Sequence, residues 1–276
     1  VMWLRGYASF LYLFLYAPIA LIILFSFNAG RSALSFQCCS VQWFERVVAN
    51  RFLLEALGNS ALIALCSALL ATLFGTMAVF GLQRVGPRLR LLFDALTYCA
   101  IIVPGIVIGI ATLIAFISLF GLINPLLAML PGELPKLRMG FFSVVAAHSL
   151  FTMALVMVIV RTRVEALDTR LLEASADLYA PPLETFRRVV LPQIAPAILA
   201  GFLLAFTFSF DDFIVAFFVA GSETTLPIYI FSSIRRGITP EINAISTVIL
   251  VASMAMLFTA RALENRRLPQ GDKPHA

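Results

Sequence analysis

Long apolar runs alternate with short polar stretches along this chain. The runs have the length of bilayer-crossing helices, for which about 20 apolar residues suffice. Six qualify: roughly Tyr7 to Phe27, Gly58 to Leu82, Leu92 to Phe120, Phe141 to Val160, Ile194 to Ala220 and Ala244 to Ala262. The pattern predicts an all-α integral membrane protein with six transmembrane helices. It divides into a first helix with an outer loop (1–57), a core of five transmembrane helices (58–262) and a tail (263–276). The first run starts almost at once, after Trp3-Leu4-Arg5, with no clear small-residue cleavage site. It reads as a retained span.

The longest polar interruption runs from Glu165 to Ile198, between spans four and five. It carries five acids and three arginines, yet keeps an apolar face of Leu167, Leu171, Leu172 and Leu178. Its first half predicts a short amphipathic helix with Asp168 as N-cap. Ala180-Pro181-Pro182 then forces a turn, because proline pushes the preceding residue out of the helical region. A second helix can start at Pro182 and should run through Phe186 to Val190 and stop near Pro192. The expected product is a helix-turn-helix knob (165–193), suited to docking rather than to chemistry.

Composition strengthens the membrane reading. Of 276 residues, 61% are hydrophobic and 13% charged, against about 25% charged in a soluble domain. The net charge of +5 forms no long basic run, so it argues for lipid contact and topology rather than nucleic acid. With both termini placed inside, 13 Lys and Arg fall on the cytoplasmic side and 7 outside. The positive-inside rule therefore puts the termini and the knob in the cytoplasm.

Other chemistry is sparse. Cys66 and Cys99 fall in apolar spans and read as packing residues. Cys38 and Cys39 adjoin in an outer loop, without metal-ligand spacing, and neighbouring cysteines seldom bridge. His148 lies in a span with no second ligand nearby, and reads as a packed or hydrogen-bonded residue. His275 lies in the tail. A metal site is not expected.

Three outer loops are longer than hairpins. Ser40 to Leu57, with Trp43, Phe44, Val47, Val48, Phe52 and Leu53, predicts a short interfacial helix. Ile123 to Met139 carries three prolines and reads as irregular with a short helix. Gly221 to Asn243, with Pro227 and Pro240, either caps the spans or dips back between them.

Two spans carry unusual residues. Span three contains Val103-Pro104-Gly105 and Gly109, which predict a kink; its glycines serve either a path or close helix packing. Span five contains Thr207-Phe208-Ser209-Phe210-Asp211-Asp212-Phe213. A carboxylate at the centre of a membrane helix costs about 2.5–3.5 kcal/mol and is functional by default. Adjacent helical residues point about 100° apart. One acid is therefore free for substrate while the other pairs with an arginine or caps a broken helix. Phe206, Phe210, Phe213 and Phe217 form a stripe that reads first as packing. Phe208, one turn from Asp212, is the better aromatic candidate.

Residues Glu173-Ala174-Ser175, three residues, Tyr179, nine residues and Val189-Val190-Leu191-Pro192 resemble the EAA loop of ABC-importer permeases in every spacing. Ser175 stands for an alanine, and Tyr179 for a glycine that supplies positive φ. The turn is therefore expected to rest on Pro181 and Pro182. The block Ser209 to Leu250, with Leu226-Pro227 and Pro240-Glu241-Ile242-Asn243-Ala244, is similar to the second permease of spermidine/putrescine-type importers.

The resemblance implies half of a translocation path. The partners it implies are a second permease subunit, two ATPase subunits holding ATP and Mg, and an extracytoplasmic binding protein, all in a bacterial inner membrane. Glu173, Ala174, Ser175, Asp177, Leu178, Tyr179 and Ala180 would couple to the ATPase. Asp211, Asp212, Phe208, Ser209, Tyr229 and Glu241 would line the substrate path. No GxxxxGK[ST] motif occurs, so the chain reads as a transport subunit without its own ATPase site. Gly105 stands where polyamine permeases often carry an acid, so an aminophosphonate or other small amine is the alternative cargo. An ion-driven secondary transporter would favour inverted repeats and paired broken spans, and no repeat is evident. A membrane enzyme would need a nucleophile–base or metal cluster that two histidines do not supply.

Overall fold

The structure, a computed structural model, describes residues 2–30, 35–131, 135–237 and 240–267. Arg31, the tail beyond residue 267 and its His275 lie outside the described residues. The described residues form helices and connecting turns, with no strand among them. Two compact units emerge: Val1–Leu54 with Ile230–Ala276, and Glu55–Tyr229.

The first unit contains α1 (Met2–Ser26), α2 (Gln42–Ala49) and α12 (Pro240–Arg267), with α12 packing on both α1 and α2. The interfacial helix expected in the first outer loop is α2. It buries Trp43 and Val47, and the Trp43 indole N–H donates to the Asn28 carbonyl at 2.6 Å. Asn28 Oδ1 in turn accepts from the Gln37 amide at 2.7 Å, so the loop is hydrogen-bonded to the end of α1. In this loop Cys38 and Cys39 are bonded to each other. Neighbouring cysteines seldom bridge, and this pair does.

The second unit is built on α6 (Phe141–Glu165), which is buried along most of its length. Around it stand α3 (Arg51–Leu82), α4 (Pro87–Ile102), α5 (Gly105–Leu127), α9 (Leu191–Asp211) and α10 (Ile214–Val219). At one end of α6, Val156, Val160 and Val164 pack with Val79, Val190 and Ile194. At the other, Val144 and Ala147 pack with Ile63, Val215 and Val219. Outward faces remain apolar, as lipid-facing helices require.

Five described helices are long and apolar enough to cross a membrane: Trp3–Ser26, Arg51–Leu82, Gly105–Leu127, Phe141–Glu165 and Pro182–Asp211. The region expected as span six lies in α12, whose apolar described part, Pro240–Ala255, is shorter. Span three differs from expectation. Instead of one kinked helix from Leu92, α4 ends and α5 begins at Pro104. Proline has no N–H and holds Val103 extended, at φ −65° and ψ 132°. At about 1.5 Å per residue, the 23-residue α5 crosses a bilayer by itself. α4 is a separate helix tied to the end of α6 by charge. Arg161 pairs with Asp94 and with Glu165 at 2.8 Å, and Glu165 also accepts from Arg90 at 3.1 Å.

Of the remaining loops, the described residues between Leu127 and Met139 are irregular, as expected. Asn124 ties the Ile123–Met139 segment down by bonding the Leu137 amide at 2.8 Å and its carbonyl at 3.1 Å. The loop from Gly221 contains an 11-residue helix, α11 (Leu226–Arg236).

Candidate functional site

Two interruptions of helix carry the polar chemistry of the second unit: one breaks span five, the other is the knob.

The expected continuous span from Ile194 to Ala220 is broken. α9 stops at Asp211, Asp212 is extended (φ −67°, ψ 119°), and α10 restarts at Ile214. A break leaves unsatisfied amides, and the sequence supplies a cap: the Ala216 N–H donates to Asp212 Oδ2 at 3.0 Å. Asp212 thus takes the capping alternative rather than an arginine. The two acids diverge. The Asp212 side chain is 17% exposed, whereas Asp211, the last residue of α9, is exposed.

His148 sits beside this break. Its ring is 1% exposed on α6. Nδ1 lies 2.7 Å from Ser209 Oγ on α9, and Nε2 lies 3.3 Å from Asp212 Oδ2. The latter contact is within ion-pair distance, but its alignment leaves Nε2 without a true hydrogen bond. The sequence reads His148 as a packed or hydrogen-bonded residue, and the structure gives it a hydrogen bond. Nothing in the spacing announces this set, because His148 and Ser209 lie 61 positions apart.

The start of α5 packs against α10 at the same place. A Cβ on Gly105 would stand 3.9 Å from the Ile214 side chain. One on Gly109 would stand 2.6 Å from the Phe218 ring and 3.4 Å from the Val215 backbone. Gly109 therefore serves close packing. The breaks at Pro104 and Asp212 lie beside each other. Phe208 is 47% exposed. In the phenylalanine stripe, Phe206 stacks on Phe210 and Phe213 meets Phe217, one pair on each side of the break. Tyr229 falls in α11, the final residue of this unit. Glu241 belongs to the other unit, where it accepts from Asn50 Nδ2 at 2.6 Å.

The knob has the expected first arm, α7 (Thr169–Asp177), with Asp168 as N-cap accepting from the Arg170 amide at 3.0 Å. Its C-terminus corrects the sequence reading. Tyr179, not the proline pair alone, makes the turn, at φ 54°. The Ala180 amide donates to the Ser175 carbonyl at 3.1 Å and the Tyr179 amide to Ala176 at 2.9 Å. This is a complete Schellman cap, with tyrosine in the position that usually holds glycine.

Beyond it, α8 (Pro182–Thr185) leads into a π-helical turn, Phe186–Val190, and directly into α9. The second arm therefore does not stop near Pro192. The widened turn before that proline relieves the clash its ring would cause in a regular helix. Ser175 is 8% exposed and its hydroxyl lies 2.7 Å from that of Thr185, so this departure from alanine joins the two arms. Glu173, Ala174 and Asp177 are exposed. Leu178, Tyr179 and Leu183 stand out at 81%, 95% and 78% exposure.

An apolar helical chain with an exposed polar-rimmed knob and a charged helix break has the parts of a membrane transport subunit. The comparisons give the family. Residues 71–266 match the binding-protein-dependent transport system inner membrane component family, and the chain belongs to it. It is 33% identical to the spermidine/putrescine transport system permease protein PotC of Escherichia coli (strain K12), over 94% of this chain and 92% of that one. It is 36% identical to the putrescine transport system permease protein PotI of the same strain, over 92% and 89%.

Among solved structures, a bacterial ABC transporter involved in import of the acidic polysaccharide alginate superposes with TM-score 0.66 at 15% identity, covering 97% of this chain and 96% of that one. At that identity the likeness concerns the fold. Among the described residues one span is broken, at Asp212, and a broken span alone does not exclude an ion-driven carrier. Family membership separates the two readings.

Proposed function

We propose that this chain is one of two permease subunits in an ATP-driven importer of a small cationic amine, with putrescine or spermidine as the cargo class. The carrying observation is the acid pair at the span-five break, with Asp212 held inward and Asp211 open. Charge placed inside an apolar span is retained for a ligand or a pathway. Two carboxylates suit a cargo with positively charged amines, and Phe208 adds a face for cation–π contact. Both polyamine permeases named above support this class.

The assembly in this reading has six spans, both termini in the cytoplasm, a second permease, two ATPase subunits that hold ATP and Mg, and an external binding protein. The knob docks on the ATPase through Glu173, Ala174, Asp177, Leu178, Tyr179 and Ala180, with Ser175 bracing it from within. ATP binding closes the ATPase pair, the knob moves, and α9 carries that motion to the break. The uninterrupted run from Pro182 to Asp211 is what makes such transmission mechanically direct.

One observation favours a second cargo. Position 105 faces Ile214, beside the break, so an acid there would add a third carboxylate to the pair. Gly105 leaves two, which also suits an aminophosphonate or another small amine.

The test is uptake of labelled putrescine, spermidine and an aminophosphonate by cells carrying the whole transporter, with Asp211→Asn and Asp212→Asn. We expect a rise in KM of about tenfold or more for the true cargo, as for loss of one charge-assisted contact. Unchanged uptake of all three removes the acids from the path. In parallel, Glu173→Arg should abolish uptake; intact uptake, or purification without an ATPase subunit, would refute the docking role.

A further inference from the structure

We infer that His148 is a positioning residue for the Asp212 carboxylate and sets cargo affinity without touching the cargo. This rests on the proposal that Asp212 serves the substrate path. The ring is buried on α6 and bridges the two sides of the break: Ser209 on α9 at 2.7 Å, and Asp212 beyond the end of α9 at 3.3 Å.

Nδ1 shares one hydrogen bond with the Ser209 hydroxyl, and Nε2 faces Oδ2 at 3.3 Å. That oxygen already accepts the Ala216 amide from α10. One carboxylate oxygen therefore faces groups from two other helices, α10 and α6, and its direction depends on the imidazole. The misaligned Nε2 contact is the part that can tighten when a cation draws Asp212 into line. Catalytic hydrogen bonds in apo sites tighten on ligation in the same way.

Burial of a polar ring in an apolar helix is costly without partners. A packing role alone would be met by leucine or phenylalanine at position 148. The two ring nitrogens face different partners, which gives a chemical test. An asparagine amide reproduces the Nδ1 position and loses the reach to Asp212. A glutamine amide reproduces the Nε2 position and keeps it.

The experiment measures KM and maximal rate for labelled putrescine uptake by the complete transporter, with chain abundance and bound ATPase checked in each variant. His148→Asn should raise KM about tenfold with little change in maximal rate, while His148→Gln stays within about threefold of the starting protein. In an Asp212→Asn background, the His148→Asn effect should vanish, because coupled groups are non-additive.

Equal effects of Asn and Gln, or a His148→Asn penalty that persists without the Asp212 charge, would overturn the assignment and leave only packing. If Asp212→Asn alone leaves KM unchanged for putrescine, spermidine and aminophosphonate, the cargo reading itself fails, and the positioning role with it. A normal Asp212→Asn loss with a silent His148→Asn refutes only the positioning role. Should His148→Asn fail to accumulate, Ser209→Ala releases Nδ1 and is read in the same cycle. A KM rise of about threefold that disappears with Asp212→Asn supports the role, and an additive rise refutes it.

Discussion

Gly221 and Tyr179 share a left-handed backbone, at φ 59° and 54°, and reach it for opposite reasons. Gly221 turns the chain after α10. A Cβ there would lie 2.5 Å from the Met139 carbonyl oxygen. Any side chain would have to displace backbone, so both conformation and space demand glycine. Tyr179 turns the chain after α7 in open solvent, at 95% exposure. Nothing obstructs its side chain, and the only penalty is the left-handed conformation, about 1–2 kcal/mol. Where the protein could have used glycine without loss of packing, it keeps a large ring directed outward. That difference separates a turn that serves the fold from one that presents a surface.

The sharpest way to break this comparison is to put the same small group at both places. Gly221→Ala meets the Met139 carbonyl as well as the backbone penalty. It should destabilise by more than about 2 kcal/mol and sharply reduce the folded chain recovered from membranes. Tyr179→Ala meets no obstacle and should leave the amount of folded chain unchanged. Equal losses in a thermal-unfolding assay in detergent would mean that the two turns do not differ as described.

Next in size is Tyr179→Asp. It adds a charge to the exposed apolar tip formed with Leu178 and Leu183. If the tip docks on a partner, uptake should fall at least tenfold, since a desolvated unpaired charge at an interface costs several kcal/mol. The folded yield should hold. Normal uptake by Tyr179→Asp would make the exposed ring incidental.

The contrast also shows what was legible beforehand. The helices, the Asp168 cap and the interfacial α2 follow from apolar run length, capping chemistry and aromatic spacing, which are local. The knob was legible as a polar interruption with matched spacing. Its turn was misassigned to Pro181 and Pro182 because side-chain identity argues against tyrosine at positive φ, while exposure, which permits it, is a tertiary property. The continuation through Pro192 was hidden for a similar reason: a π-helical turn has no sequence signature of its own. At the break, Asp211 and Asp212 stand out as acids in an apolar run. His148 and Ser209 become partners only when α6 and α9 pack, and the roles of Gly105 and Gly109 depend on α10 lying against α5.

A smaller effect tests the start of α7. Asp168→Ala removes the oxygen that accepts the Arg170 amide, at about 1 kcal/mol. Because α7 buries only Ser175, the loss should stay local. It would appear as faster amide exchange over Thr169–Leu172, with the exchange of α6 unaltered. Faster exchange throughout α6 would mean that α7 is coupled to the core rather than carried on it.

The smallest effect is expected from Tyr179→Gly. Glycine removes the left-handed penalty of about 1–2 kcal/mol, but it also frees the unfolded chain, at a cost of roughly 0.5–1 kcal/mol. The two nearly cancel, so the melting temperature should move little and amide exchange at Ala180, which closes the Schellman cap, should change less than about threefold. Uptake then becomes the informative measurement. With turn geometry preserved and only the ring removed, any loss of transport belongs to the side chain. A variant that is as stable as the starting protein yet transports more slowly would show that Tyr179 is kept for its surface. Unaltered transport would leave position 179 a turn residue and nothing more, and would shift the docking role to Glu173, Leu178 and Leu183.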